Sequence, residues 1–91
     1  MRWTRDASMG ALGSLLAKVG QPIVQFERHR IVRGYVDDLR ERSATLQKMN
    51  PNTDLTAMNM AIKALRIILS KAVLGEEDMK GALKIRAELL Q

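Results

Sequence analysis

Residues 22–50 read PIVQFERHRIVRGYVDDLRERSATLQKMN, a stretch with proline at its first position and Asn50-Pro51 at its end. Apolar residues recur in it at helical spacing: Val24, Ile31, Val32, Tyr35, Val36, Leu39, Leu46 and Met49 share one sector of a helical wheel. His29, Arg30, Arg33, Arg40 and Lys48 stand opposite. This is the pattern of one long basic amphipathic helix, roughly 42 Å from end to end at the α-helical rise. Pro22 suits a first helical turn, where its missing N–H goes unused. Pro51 disfavours helical geometry in the residue before it.

Outward from that helix, three more are expected. Residues 1–21 read as a mobile N-terminal segment with a helix over about Ser8 to Val19. Its stripe is Met9, Leu12, Leu15, Leu16 and Val19, with Ser8 as N-cap. Gly10 and Gly13 weaken it by about 1 kcal/mol each against alanine, and Gly20 stops it. Residues 53–74 form the most apolar segment, capped by Asn52, Thr53 or Asp54, with Leu55, Met58, Ala61, Ile62, Leu65, Ile68, Leu69 and Ala72 on its main face. Asn59, Lys63, Arg66 and Ser70 form a narrow polar strip, with Met60, Ile67 and Leu74 beside it. Gly75 breaks the chain, and residues 76–90 open on Glu76, Glu77 and Asp78, where carboxylates favour the positive end of the helix dipole. The short Asn50–Thr53 connection implies that the second and third helices turn back on each other. The fold class is therefore all-α: a small helical bundle in a single domain over residues 1–91, built on a long antiparallel hairpin with short N- and C-terminal helices.

Composition narrows function mainly by exclusion. The chain has no cysteine, one histidine and a net charge of +5. Disulfides, thiolate metal sites and nucleophile–base pairs cannot be assembled within it. No catalytic residue, cofactor or metal site is expected. Glu76, Glu77 and Asp78 compensate a helix dipole rather than bind a metal. No glycine-rich phosphate loop follows a strand. No window approaches the roughly 18–20 apolar residues of a membrane-spanning helix. Arg2, Arg5 and the weakly apolar run before Lys18 have the charge order of a targeting leader without a convincing cleavage site. The expected compartment is the cytoplasm, though the lack of cysteine fits others as well.

What remains is charge and excess apolar surface. A rigid row of cations (His29, Arg30, Arg33, Arg40, Lys48) can track a phosphate backbone and release its counterions. The same face can instead be a solvated one laced with ion pairs, with Arg33 and Asp37 at i, i+4 spacing, or can meet a protein or membrane anion. The third helix is apolar on two sides, which points to a homo-oligomer, in the first place a dimer, with Met60, Ile67 and Leu74 at its interface. Arg28 and Arg42 fall inside the apolar sector of the long helix. They either snorkel past the core edge or cross a subunit interface to carboxylates. Trp3 beside Arg2 and Arg5 either packs on the bundle or anchors at a membrane surface, the second being the less expected.

In size and element order the outline resembles the dimeric double-stranded-RNA-binding silencing suppressors of nodaviruses, a resemblance that transfers no residues. Secretion-needle subunits are similar in forming helical hairpins that turn at Pro and Asn. Their hairpins continue to the C-terminus, whereas Gly75 interrupts this one. Two functions are expected from different classes: a non-enzymatic dimer that binds nucleic acid by backbone and shape, or a helical protein-interaction module serving as adaptor, inhibitor or assembly subunit.

Overall fold

The computed structural model describes residues 2–89, with side chains from residue 22 onward. All of its regular elements are helices: α1 over Arg2–Met49, α2 over Thr56–Leu69 and α3 over Glu76–Leu89. Among the described residues no helix is long and apolar enough to cross a membrane.

The core lies where the two short helices cover the second half of α1. Val32, Val36 and Leu39, at i, i+4 and i+7, meet Met58, Ile62 and Leu65, which repeat that spacing on α2; Leu74 and Ala82 complete the cluster. Such spacing aligns side chains on one helix face, so each helix offers a continuous apolar ridge. Tyr35, Leu46, Ile68, Leu69, Met79, Ile85 and Leu89 pack around it. The stripe of α1 is buried only at its centre: Val24 and Met49, at its ends, are exposed.

Both turns are built from local chemistry. Asn50 Oδ1 accepts from the Asn52 amide at 3.1 Å, and the Thr53 amide donates to the Asn50 carbonyl at 3.0 Å. Asp54 Oδ1 then accepts from both the amide and the hydroxyl of Thr56, at 2.9 and 2.6 Å. Those bonds hold the Asp54 carboxyl below its ordinary range, the hydroxyl contributing most. Asp78 Oδ2 reaches back to the Gly75 amide at 3.0 Å, satisfying a donor that the first turn of α3 leaves unpaired.

Three expectations are corrected. The first helix does not end at Gly20, because α1 continues through Pro22. Proline removes one hydrogen bond and crowds the carbonyl four residues back, at a cost of about 3 kcal/mol, and the helix runs on through it. The side chains of the expected first helix, with Trp3 and the stripe from Met9 to Val19, lie outside the described residues.

The apolar helix expected over 53–74 stops at Leu69. Side chains of α1 take the backbone groups that a longer α2 would have paired. The Leu74 amide donates to Gln25 Oε1 at 2.6 Å, and Gln25 Nε2 and Arg28 Nη1 donate to the Leu74 carbonyl at 3.0 and 2.6 Å. His29 Nε2 lies 2.7 Å from the Lys71 carbonyl.

Leu74 is consequently no interface residue. It is fully buried within the chain, 0% exposed. Arg28 Nη1 meets that same Leu74 carbonyl, because the segment after α2 folds back onto α1 at that level.

Candidate nucleic-acid interface

One flank of the α1–α2 packing opens into a groove of about 790 Å³. From α1 it takes Arg40, Ser43, Ala44 and Gln47; from α2 it takes Asn59, Ile62, Lys63, Arg66 and Ile67, with Ser70 just beyond. The α1 residues sit at i, i+3, i+4 and i+7, and the polar residues 59, 63, 66 and 70 at steps of four, three and four. Each helix therefore contributes one narrow strip, adjoining the buried ridge on its inner face.

The electrostatics of the groove are one-sided. Arg40, Lys63 and Arg66 enter it with no carboxylate among the lining residues. α2 contains no acidic residue in its 14 positions. The ion pairs among the described residues engage Arg30, Lys71, Lys80 and Arg86, and none of the three groove cations. The rest of the lining consists of the hydroxyls of Ser43 and Ser70, the amides of Gln47 and Asn59, and the apolar side chains of Ala44, Ile62 and Ile67.

The expected basic row divides into four parts. Arg40 lines the groove. Arg33, two turns earlier on the same face of α1, and Lys48 are exposed and make no ion pair with a described carboxylate; the expected pair between Arg33 and Asp37 is not formed. Arg30 is engaged by Glu27, at 2.8 Å to Oε2 and 3.3 Å to Oε1. These hydrogen bonds, reinforced by the charge, hold Glu27 below its ordinary range and raise Arg30.

His29 faces inward. Its Nδ1 lies 2.7 Å from the Gln25 carbonyl and its Nε2 2.7 Å from that of Lys71. A neutral ring donates only one of these bonds and a cationic ring both. His29 ties α1 to the segment after α2.

The opposite flank is built differently. Arg42, exposed as a snorkelling residue would be, lines a smaller cleft of about 380 Å³ with Asp38, Glu41, Thr45 and Arg86. The Arg86 guanidinium lies 5.1 Å from the Tyr35 ring centroid, and its Nη2 is 3.8 Å from Asp38 Oδ2. Among the described residues, no group of three His, Asp or Glu side chains could hold a metal ion.

Lys63 and Arg66 are the residues that the basic row of α1 did not include. Their signal was the polar strip of α2, visible in the sequence. Its position beside the Arg40 strip is set by how the helices pack. Met60 and Ile67, expected at an oligomer interface, are 66% and 60% exposed on the single chain, and Ile67 borders the groove. No family model, no curated protein and no solved structure matches the chain.

Proposed function

We propose that the chain is a non-enzymatic, dimeric helical protein that binds nucleic acid, double-stranded RNA first among the candidates, through backbone and shape contacts. In this reading α1 and α2 form an antiparallel hairpin whose cationic flank lies along the duplex. The observation that carries it is the α1–α2 groove, where Arg40, Lys63 and Arg66 converge without a carboxylate among the lining residues. Three uncompensated cations beside each other raise the local positive potential and favour a polyanion. No aromatic residue lines the groove, so bases have no stacking platform there, and contact with a duplex backbone is favoured over a single strand. Ser43, Gln47 and Asn59 supply groups that suit phosphate oxygens and 2′-hydroxyls.

The test compares the wild-type chain with the triple variant Arg40→Ala, Lys63→Ala and Arg66→Ala against RNA and DNA duplexes over a range of salt. The expected outcome is weaker binding to every sequence alike, with the salt slope flattened by about one unit per cation removed. Helical content and melting should barely change, because exposed charges of this kind contribute about 0–1 kcal/mol. A wild-type chain that binds no duplex, or an unchanged slope in the variant, would give the lead to the protein-interaction reading, for which exposed Ile67 and Met60 speak.

A further inference from the structure

By helical register, the apolar positions of the two halves of α1 fall in opposite sectors. Met9, Leu12, Leu16, Val19, Ile23 and Phe26 follow one another at steps of three, four, three, four and three. At 3.6 residues per turn these register positions share a sector roughly 100° wide. The core residues Val32, Val36 and Leu39 centre roughly 160° away from it. The chain's own α2 and α3 therefore pack on the far side of α1 from this seam. Ile23 and Phe26, its last two members, are 63% and 66% exposed. Continuing the same register leads to Arg30, Arg33, Asp37 and Arg40, so the apolar seam ends at Phe26.

We infer that residues 9–26 of α1 pair with the same segment of a second copy of this chain, as a short coiled coil. Two arguments single out that occupant. A strict 3–4 alternation is the spacing of knobs that fit the holes of a helix with the same repeat. Six apolar side chains at roughly 100 Å² each bury on the order of 1,200 Å² over two copies, which reaches the lower limit of a stable interface.

The inference takes up the dimer of the reading above but does not depend on nucleic acid.

The experiment uses the full chain by sedimentation at micromolar concentration, with three variants. Wild type should be a dimer. Leu16→Asp with Ile23→Lys, and separately Phe26→Lys, should shift it to monomer while keeping the melting transition of the Val32–Leu65 core. Ile67→Lys should leave the dimer intact. Because the chain has no cysteine, Leu16→Cys and Val19→Cys give clean oxidative crosslinks: each with itself if the pair is parallel, only in the mixture if it is antiparallel. A monomeric wild type, a dimer that survives the seam variants, or a dimer broken by Ile67→Lys would overturn the inference. So would a monomer whose seam variants lose only their binding to anionic vesicles, which would assign the seam to a membrane surface. Duplex binding is measured separately, so either result there leaves this test standing.

Discussion

On the α3 side of α1, Arg86 stacks over Tyr35 and faces Asp38, and Arg42 shares its cleft with Glu41. On the α2 side, Arg40, Lys63 and Arg66 line a groove that holds no carboxylate. The same residue types therefore do different things a helix width apart. Arg86 on the α3 side is engaged by groups of α1 and helps fasten α3 to it. Cations on the α2 side have no such counterpart, and their charge is presented to whatever enters the groove. Net charge alone conceals this: the difference lies in which acids each flank has within reach.

The largest expected effect removes the scaffold under both flanks. Leu39 is fully buried between the helices, and Leu39→Ala should cost about 2–5 kcal/mol through lost transfer energy and a residual cavity. Small domains are stable by only about 5–15 kcal/mol, so the denaturant midpoint should drop steeply and both flanks fail together. A loss below 1 kcal/mol would mean that the core is not organised around this ridge.

Next in size is Arg86→Ala, the counterpart of the groove variants. It removes a cation–π contact worth about 0.5–1 kcal/mol and the packing of the arginine stem. Some of that cost is offset, because Arg86 Nε is buried without a hydrogen-bond partner. The expected outcome is a modest fall in stability with duplex affinity and salt slope unchanged, the reverse of the triple groove variant. Equal weakening of duplex binding by both would erase the contrast between the flanks.

Gly34→Ala should act on neither flank. A Cβ placed there meets nothing within 4 Å, and the backbone is ordinary helix. The substitution should raise stability by roughly 0.5–1 kcal/mol through reduced unfolded-state freedom and better helix propensity. A thermal melt checks the sign, and unchanged salt slopes check that the gain is purely local.

How much of this was legible in the sequence depends on how far apart the cooperating residues lie. The all-helical class, the turn at Asn50 and Pro51, and the start of α3 after Gly75 could be read because their causes are local. The centre of each apolar stripe could be read from spacing. Leu74 was misplaced because its side chain enters the core shared by all three helices, while its backbone is tied to Gln25 and Arg28, 49 and 46 residues away, which no local pattern displays. His29 looked like a cation of the basic row for the same reason: the Lys71 carbonyl is brought to it only by the fold. At Pro22 a sound local rule was overridden. The groove was half legible, since both strips can be seen and only the packing sets them side by side.

The smallest expected effect sharpens the comparison at the edge of the groove, where Lys71 is kept out of the cationic set. Lys71 Nζ donates to Asp78 Oδ1 at 2.8 Å, while the other carboxylate oxygen of Asp78 accepts from the Gly75 amide. The Lys71 hydrogen bond chiefly, then that of Gly75, holds the Asp78 carboxyl below its ordinary value of 3.8. A carboxylate depressed in the folded state binds its proton more readily when unfolded, so its stabilising contribution is fully present above the unfolded value. It is lost as the pH falls through the folded one. Asp78→Asn should therefore melt below wild type at pH 7, and the gap should close as both are acidified below about 3.8. Because the pair is exposed and screened, the gap at pH 7 should also shrink with added salt. A gap that persists unchanged into acid would show that Asp78 acts through packing rather than charge, and Lys71 would then count with Lys63 and Arg66 among the uncompensated cations.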